Sequence, residues 1–255
     1  MIGWRGLFIA IAGLLLLALV LVAVAIPRDE PAVEAEPGHR VAAPGYAAVF
    51  RHPAFVRMAP MGFFAYGGMV AMQSLWIGPW LTQVGGLPAG LAAEGLFLVN
   101  FCMLLAFLSW GLVLPRLLRN GRTAESVIGR TWPAGVAVLA LILWAGPSAG
   151  AASWAAWCVL TSVVSLSQPA VAQAFPAAVA GRALSAFNLV IFGGVFALQW
   201  GIGLLLDALQ AAGFATLSAF RASFGLFLAA CLLSFAWAQW HGRESAAADS
   251  LPAGR

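Results

Sequence analysis

Apolar positions gather into seven long runs, near residues 4–26, 56–81, 89–114, 131–149, 151–175, 183–206 and 222–240. Each approaches the roughly 20 apolar residues that a helix needs to cross a hydrocarbon core. Inside lipid an unpaired backbone N–H or C=O costs several kcal/mol, so runs of this length must be helices. The pattern predicts an all-α, polytopic membrane protein with seven transmembrane helices. Between the first and second runs lies the one long polar stretch, which mixes Asp29, Glu30, Glu34 and Glu36 with Pro31, Pro37 and Pro44. That mixture predicts an open linker. The expected organisation is a helix over 1–26, a cytoplasmic linker over 27–53, a six-helix body over 54–241 and a disordered cytoplasmic tail over 242–255.

Polar residues divide the last six runs into two sets of three. The second and third runs carry Tyr66, Gln73, Ser74, Asn100 and Ser109; the fifth and sixth carry Thr161, Ser162, Ser165, Ser167, Gln168, Ser185, Asn188 and Gln199. The fourth is nearly blank between Pro133 and Pro147, and the seventh offers little beyond Ser223 and Ser234. A span facing lipid excludes polar groups, whereas one lining a cavity can hold them. Polar, polar, blank, twice over, predicts two three-helix units, each with two cavity-lining helices and one outer helix.

Within these runs Tyr66, Met69, Gln73, Trp76 and Trp80 follow at offsets of three or four and share one helix face. Gly78-Pro79 weakens the backbone pairing beside them. Gln73 reads as a cavity residue, with Tyr66 and Trp76 on its stripe. Trp80 reads better as part of an interfacial aromatic belt. Thr161, Ser165 and Gln168 form a second stripe, although membrane hydroxyls often bond back to the preceding turn. Asn188 and Gln199 lie about three turns apart on one face. Asn100 and Asn188 serve equally well as cavity groups or as hydrogen-bonding glue between helices. The glycines near Ala197-x-x-x-Gly201 suit close helix packing.

Composition sharpens the class. The 255 residues are 62% hydrophobic and 9% charged, with mean hydropathy +0.93; soluble domains carry about 25% charged residues. All 13 basic residues are Arg. If the first span runs from outside to inside, only Arg5 and Arg221 lie outside, and the other eleven lie in inner loops or the tail. The positive-inside rule then places the N-terminus outside and the C-terminus in the cytosol of a multi-pass cell (inner) membrane protein. A cleaved secretory signal over 1–26 would instead export four arginines between residues 27 and 57, and its apolar stretch exceeds the usual length. Cys102, Cys158 and Cys231 sit within runs, far apart, and read as small buried hydrophobes.

Several stretches resemble the second half of a major facilitator superfamily (MFS) transporter, whose six-span halves are built as 3+3 repeats. FRHPAF at 50–55 resembles the start of that family's seventh helix, and QSLWIGPWL at 73–81 its outer end. FPAAVAGRALSAFN at 175–188 is similar to the loop before the eleventh helix and its start, and GGVFALQWGIG at 193–203 to that helix's interior. WRGLF at 4–8 resembles the opening of the sixth helix. The likeness spans nearly the whole chain but about half of the family's twelve helices. It implies the C-terminal half plus one preceding helix, dependent on an N-terminal six-helix half and unable to transport alone. One departure concerns the loop signature Gly-x-x-x-Asp-Arg: in Gly111-Leu-Val-Leu-Pro115-Arg116 a proline replaces the aspartate. Arg116, Arg119, Arg122 and Arg182 then serve either as gating-loop residues or, more simply, as topology determinants.

The expected function is part of a secondary carrier moving a small solute by alternating access. Its cavity candidates are Gln73, Trp76, Tyr66, Asn100, Ser165, Gln168, Asn188 and Gln199. The alternative is a non-transporting seven-span assembly partner or sensor. No nucleophile–base pair, metal-ligand cluster or phosphate-binding loop points to an enzyme, a metal or a cofactor, and nucleic acid is not an expected partner. No acidic residue lies deep in a run, so a proton-coupled carboxylate is not expected from this chain. The topology has a direct test: a cysteine at position 119 or 182 should resist an impermeant thiol reagent added outside intact cells. Labelling from the periplasm would reverse the orientation.

Overall fold

A computed structural model describes residues 4–25 and 45–249. The chain divides into two compact units, Met1–Ala43 and Pro44–Arg255. In the first, α1 (Trp4–Ala25) is one helix, without a polar side chain from Leu7 onward; a helix hydrophobic all round suits a lipid surrounding. The rest of the expected linker up to residue 44 lies outside the described residues. The second unit contains α2 (Tyr46–Arg51), α3 (53–84), α4 (Ala89–Arg119), α5 (Ala124–Ala145), α6 (Ala151–Gln173), α7 (Ala177–Ala211) and α8 (Thr216–Asp249).

Six described helices, α1 and α4 to α8, are long and apolar enough to cross a membrane. The remaining expected span, α3, is helical throughout but alternates between α and π geometry. It widens to π at Met61–Gly67, Met72–Trp76 and Trp80–Val84. Pro60 and Pro79 stand directly before the first and third of these stretches. Proline brings no N–H to the helical ladder and presses on the preceding turn, a defect that a π bulge accommodates. In α6, Pro169 cannot donate to the Ser165 carbonyl, and the stretch Ser162–Leu166 tightens to 3-10 geometry.

Contacts at the helix ends fix an alternating up-and-down order. At one end α3 meets α5 through the Arg57–Glu125 ion pair and α8 through Trp237, while His52, just before α3, packs on Phe175, just after α6. At the other end Trp80 donates its Nε1–H to the Ala149 carbonyl at 3.2 Å and packs on Trp154, Phe220 and Phe224. The expected interfacial role of Trp80 is therefore corrected. The ring is fully buried, because its face of α3 turns toward α6 and α8 rather than toward lipid.

Helices α3–α5 and α6–α8 form two triplets of opposite direction whose packing is nearly interchangeable. Helix α3 packs on α7 as α6 packs on α4; α3 meets α8 as α6 meets α5; α5 and α8 meet each other. The α7–α8 contact has no strong counterpart between α4 and α5. Local structure repeats too. Pro88 and Pro176 open α4 and α7, and Asn100 and Asn188 each follow twelve residues later. Both helices close through a positive-φ glycine, Gly121 or Gly213. Arg122 N–H reaches the Leu117 carbonyl, and Phe214 N–H the Leu209 carbonyl, across the same spacing. The two polar–polar–blank sets are these triplets, with blank α5 and α8 as the third helix of each.

Several boundaries differ from expectation. The linker was expected to extend to residue 53, yet 46–51 are helix α2, which packs on α7 within the six-helix unit. Of the tail expected to be disordered over 242–255, the part up to Asp249 instead continues α8 through the helix-favouring Ala246–Ala248, and residues 250–255 lie outside the described residues. Arg116 and Arg119 lie in the last turns of α4, and Arg182 lies inside α7. Of that expected loop group only Arg122 is in a loop. Arg221, the arginine at the opposite end of the unit, donates from Nε to the Leu143 carbonyl at 2.7 Å and from Nη2 to Trp144 at 2.8 Å. A cation there satisfies the orphan carbonyls and the negative dipole end of α5.

A close backbone approach joins α3 to α7. A Cβ on Gly194 would stand 2.1 Å from the Phe63 carbonyl oxygen, and one on Gly67 would stand 2.6 Å from that of Ile191. The packing role expected for the glycines of α7 thus belongs to Gly194; Gly201 faces open space. Gly194→Ala is expected to destabilise the fold by about 1–3 kcal/mol, the usual cost of overpacking, in detergent unfolding. Gly201→Ala should leave the unfolding curve in place.

Candidate functional site

Three helices bring a row of uncharged polar side chains to the surface of the six-helix unit. Gln73 on α3 donates from Nε2 to Asn100 Oδ1 on α4 at 3.1 Å, and Asn100 donates from Nδ2 to the Leu96 carbonyl at 2.8 Å. The neighbouring Ser74 accepts from Gln199 Nε2 of α7 at 2.9 Å and donates to the Val70 carbonyl at 2.6 Å. Successive residues on a helix point about 100° apart, which lets Gln73 reach α4 while Ser74 reaches α7. Asn100 and Ser74 are exposed, while Gln73 and Gln199 are half-buried.

Each amide has capacity left. A primary amide offers two donors and one carbonyl acceptor, and the bonds above use one N–H of each of Gln73, Asn100 and Gln199. Those bonds leave the Gln73 and Gln199 carbonyl oxygens and one N–H on each of the three amides available. One turn along, Trp76 is half-buried, with its ring 3.5 Å from where a Cβ on Gly203 would sit, and its enclosed Nε1–H lacks a partner. Tyr66 packs half-buried against the core two turns before Gln73 and makes no hydrogen bond with the amides.

A second pair repeats the first at the opposite level. Gln168 on α6 donates to Asn188 Oδ1 on α7. Like Gln73–Asn100, the Gln168–Asn188 pair joins the first helix of its triplet to the second. Along α7, Asn188 and Gln199 are about 16 Å apart, so they belong to separate clusters. Ser165 lies half-buried one turn before Gln168. Thr161 and Ser162 take structural roles: Thr161 donates back to the Trp157 carbonyl at 2.7 Å, and Ser162 accepts from Trp110 Nε1 at 2.9 Å.

Charge is kept away from both clusters. Glu94 and Arg182 stand six residues before Asn100 and Asn188, at equivalent places in the two triplets but with opposite sign. Among the described residues no group of three or more His, Cys, Asp and Glu side chains converges to hold a metal ion. The residue that sequence reasoning passed over is Ser74. Its adjacency to Gln73 was the available signal, since two polar neighbours on one span cannot both face lipid.

The family model for the Major Facilitator Superfamily matches residues 1–198 of the chain. No curated protein and no solved structure matches it. A double-mutant cycle on Gln73→Leu and Asn100→Leu should return a coupling of about 0.6 kcal/mol, and at most about 1.7, as for other hydrogen bonds within membranes. The readout is unfolding in bicelles, and additivity of the two variants would show that the bond contributes nothing.

Proposed function

We propose, since this chain belongs to the major facilitator superfamily, that its six-helix unit forms one wall of a solute path in a secondary transporter. The observation that carries this reading is the row Asn100–Gln73–Ser74–Gln199, which stays wholly or half exposed on helices whose other exposed positions are mostly apolar. Bare amides facing hydrocarbon are costly, so the row calls for water, solute or a second polar wall. The wall works against another six-helix body by alternating access, whether that body is part of the same polypeptide or a separate one. The triplets, with irregular α3 and α6 at corresponding positions, have the construction that places a binding site at a repeat interface.

The arginines orient the unit. Arg51, Arg57, Arg116, Arg119, Arg122, Arg130 and Arg182 lie at one end, and Arg221 at the other with Glu94 and Asp207. Retention of basic loops on the cytosolic side supports a cytosolic position for the first end, in an inner membrane. The solute that fits the wall is small and uncharged where it meets these side chains, because the amides offer paired donors and acceptors without a counter-ion.

Water access tests the reading without knowledge of the solute. In a chain with Cys102, Cys158 and Cys231 replaced by alanine, Gln73→Cys and Gln199→Cys should react with impermeant methanethiosulfonate reagents. Leu141→Cys on α5 and Leu233→Cys on α8, both exposed outer-helix positions, should not. Unreactive cysteines at 73 and 199 would place the row in a dry helix contact and remove the path.

A further inference from the structure

At the arginine-rich end a basic cavity adjoins an apolar groove. The cavity, about 570 Å³, is lined by Arg51, His52, Arg57 and His241, with Pro53, Ala54 and Val56. Its lining contains no carboxylate. Glu125, which pairs with Arg57, lines a separate cavity that shares the Arg57 side chain. Two nitrogens of this wall, His52 Nδ1 and Arg57 Nε, are enclosed and find no partner among the described residues.

The groove, about 550 Å³, runs along the surface of α3, α7 and α8 and is lined by Phe50, Phe55, Phe63, Phe64, Val190 and Trp237 among others. Val56 is a wall of both spaces. Across the boundary the Trp237 ring lies against His241, with centroids 4.0 Å apart, while its Nε1 donates to the Val56 carbonyl at 3.3 Å. A cationic recess at a span end therefore continues into an aromatic channel that descends along the span.

We propose that this composite site binds one anionic phospholipid, its phosphate in the Arg51–His52–Arg57–His241 recess and one acyl chain in the phenylalanine-lined groove. The recess supplies charge complementarity, since guanidinium groups match phosphate oxygens in geometry as well as sign. Basic pockets between transmembrane helices at the cytoplasmic surface favour such headgroups. The apolar continuation distinguishes a lipid from free phosphate, which would use only the recess. The site lies apart from the amide row and stands independently of the solute reading.

Photolabelling in nanodiscs tests this with the full chain. A phosphatidylglycerol carrying a diazirine on one acyl chain, in a phosphatidylcholine background, should label the peptides containing Phe50–Phe64 and Trp237. Unlabelled phosphatidylglycerol should compete, while phosphatidylcholine should not. Combining Arg51→Gln with His241→Ala should lower labelling at least about five-fold, the weight of a single basic side chain at an anionic surface. Circular dichroism would verify that the variant is folded. Four results would overturn the proposal: equal labelling by a phosphatidylcholine probe; labelling unchanged in the double variant; competition by inorganic phosphate alone, which assigns the recess to a soluble anion; or labelling only after residues 1–43 are removed, which assigns the groove to the chain's own first unit.

Discussion

Hydrocarbon supplies no hydrogen-bonding partner, so every backbone N–H and C=O of this chain must be satisfied from within. That constraint dictates helices where the sequence is apolar. It also makes each proline in a span a local problem with a limited set of answers. Pro60 and Pro79 are answered by π turns in α3, and Pro169 by a 3-10 stretch in α6. The polar side chains cluster beside these irregular turns: Gln73 and Ser74 within a π stretch, Gln168 just after the 3-10 stretch. Irregular backbone at membrane depth is tolerated where it is buried in protein or borders water. The placement of the amides is thus of a piece with the backbone that carries them.

The inverted triplets explain the charge pattern as well as the fold. Two copies of one three-helix plan, facing opposite ways, bring equivalent positions to opposite ends. A residue neutral to topology can then be retained in both copies, as Asn100 and Asn188 are. A charged position cannot, because basic residues favour one side only. Glu94 and Arg182 occupy that position in the two copies with opposite signs. Arg221 departs from the distribution for a local reason: its guanidinium closes the carbonyl end of α5.

Much of this was legible in the sequence because its main signals are one-dimensional. Apolar run length marks the spans, and alternating polar content the triplets. Helix ends were less legible, since α7 and α8 continue beyond their apolar runs through Asp207, Gln210 and Ala246–Ala248, where water and good helix formers replace lipid as the stabilising factor. Trp80 was misjudged because a tryptophan near a span end looks the same in sequence whether it faces headgroups or three other aromatic rings. The pairings Gln73–Asn100 and Gln168–Asn188 needed three dimensions, although their repeat is visible as Pro88 to Asn100 and Pro176 to Asn188. His52 and His241 line one cavity only because α3 begins where α8 ends.

The interactions also differ in how readily they yield, and this bears on how the proposed carrier could move. The α3–α7 contact at Gly67 and Gly194 is backbone against side-chain-free backbone, with no room for a sliding neighbour. The Trp80 cluster fills the far end with buried, mutually packed rings, and close-packed interiors transmit displacement rather than absorb it. By contrast, a hydrogen bond between membrane side chains averages about 0.6 kcal/mol, close to thermal energy. The exposed amides can therefore exchange partners, helix for water or solute, while the helices that hold them keep their packing. A wall built this way moves as one body and changes only the bonds on its open face, which is the division of labour that rocking between two six-helix bodies requires.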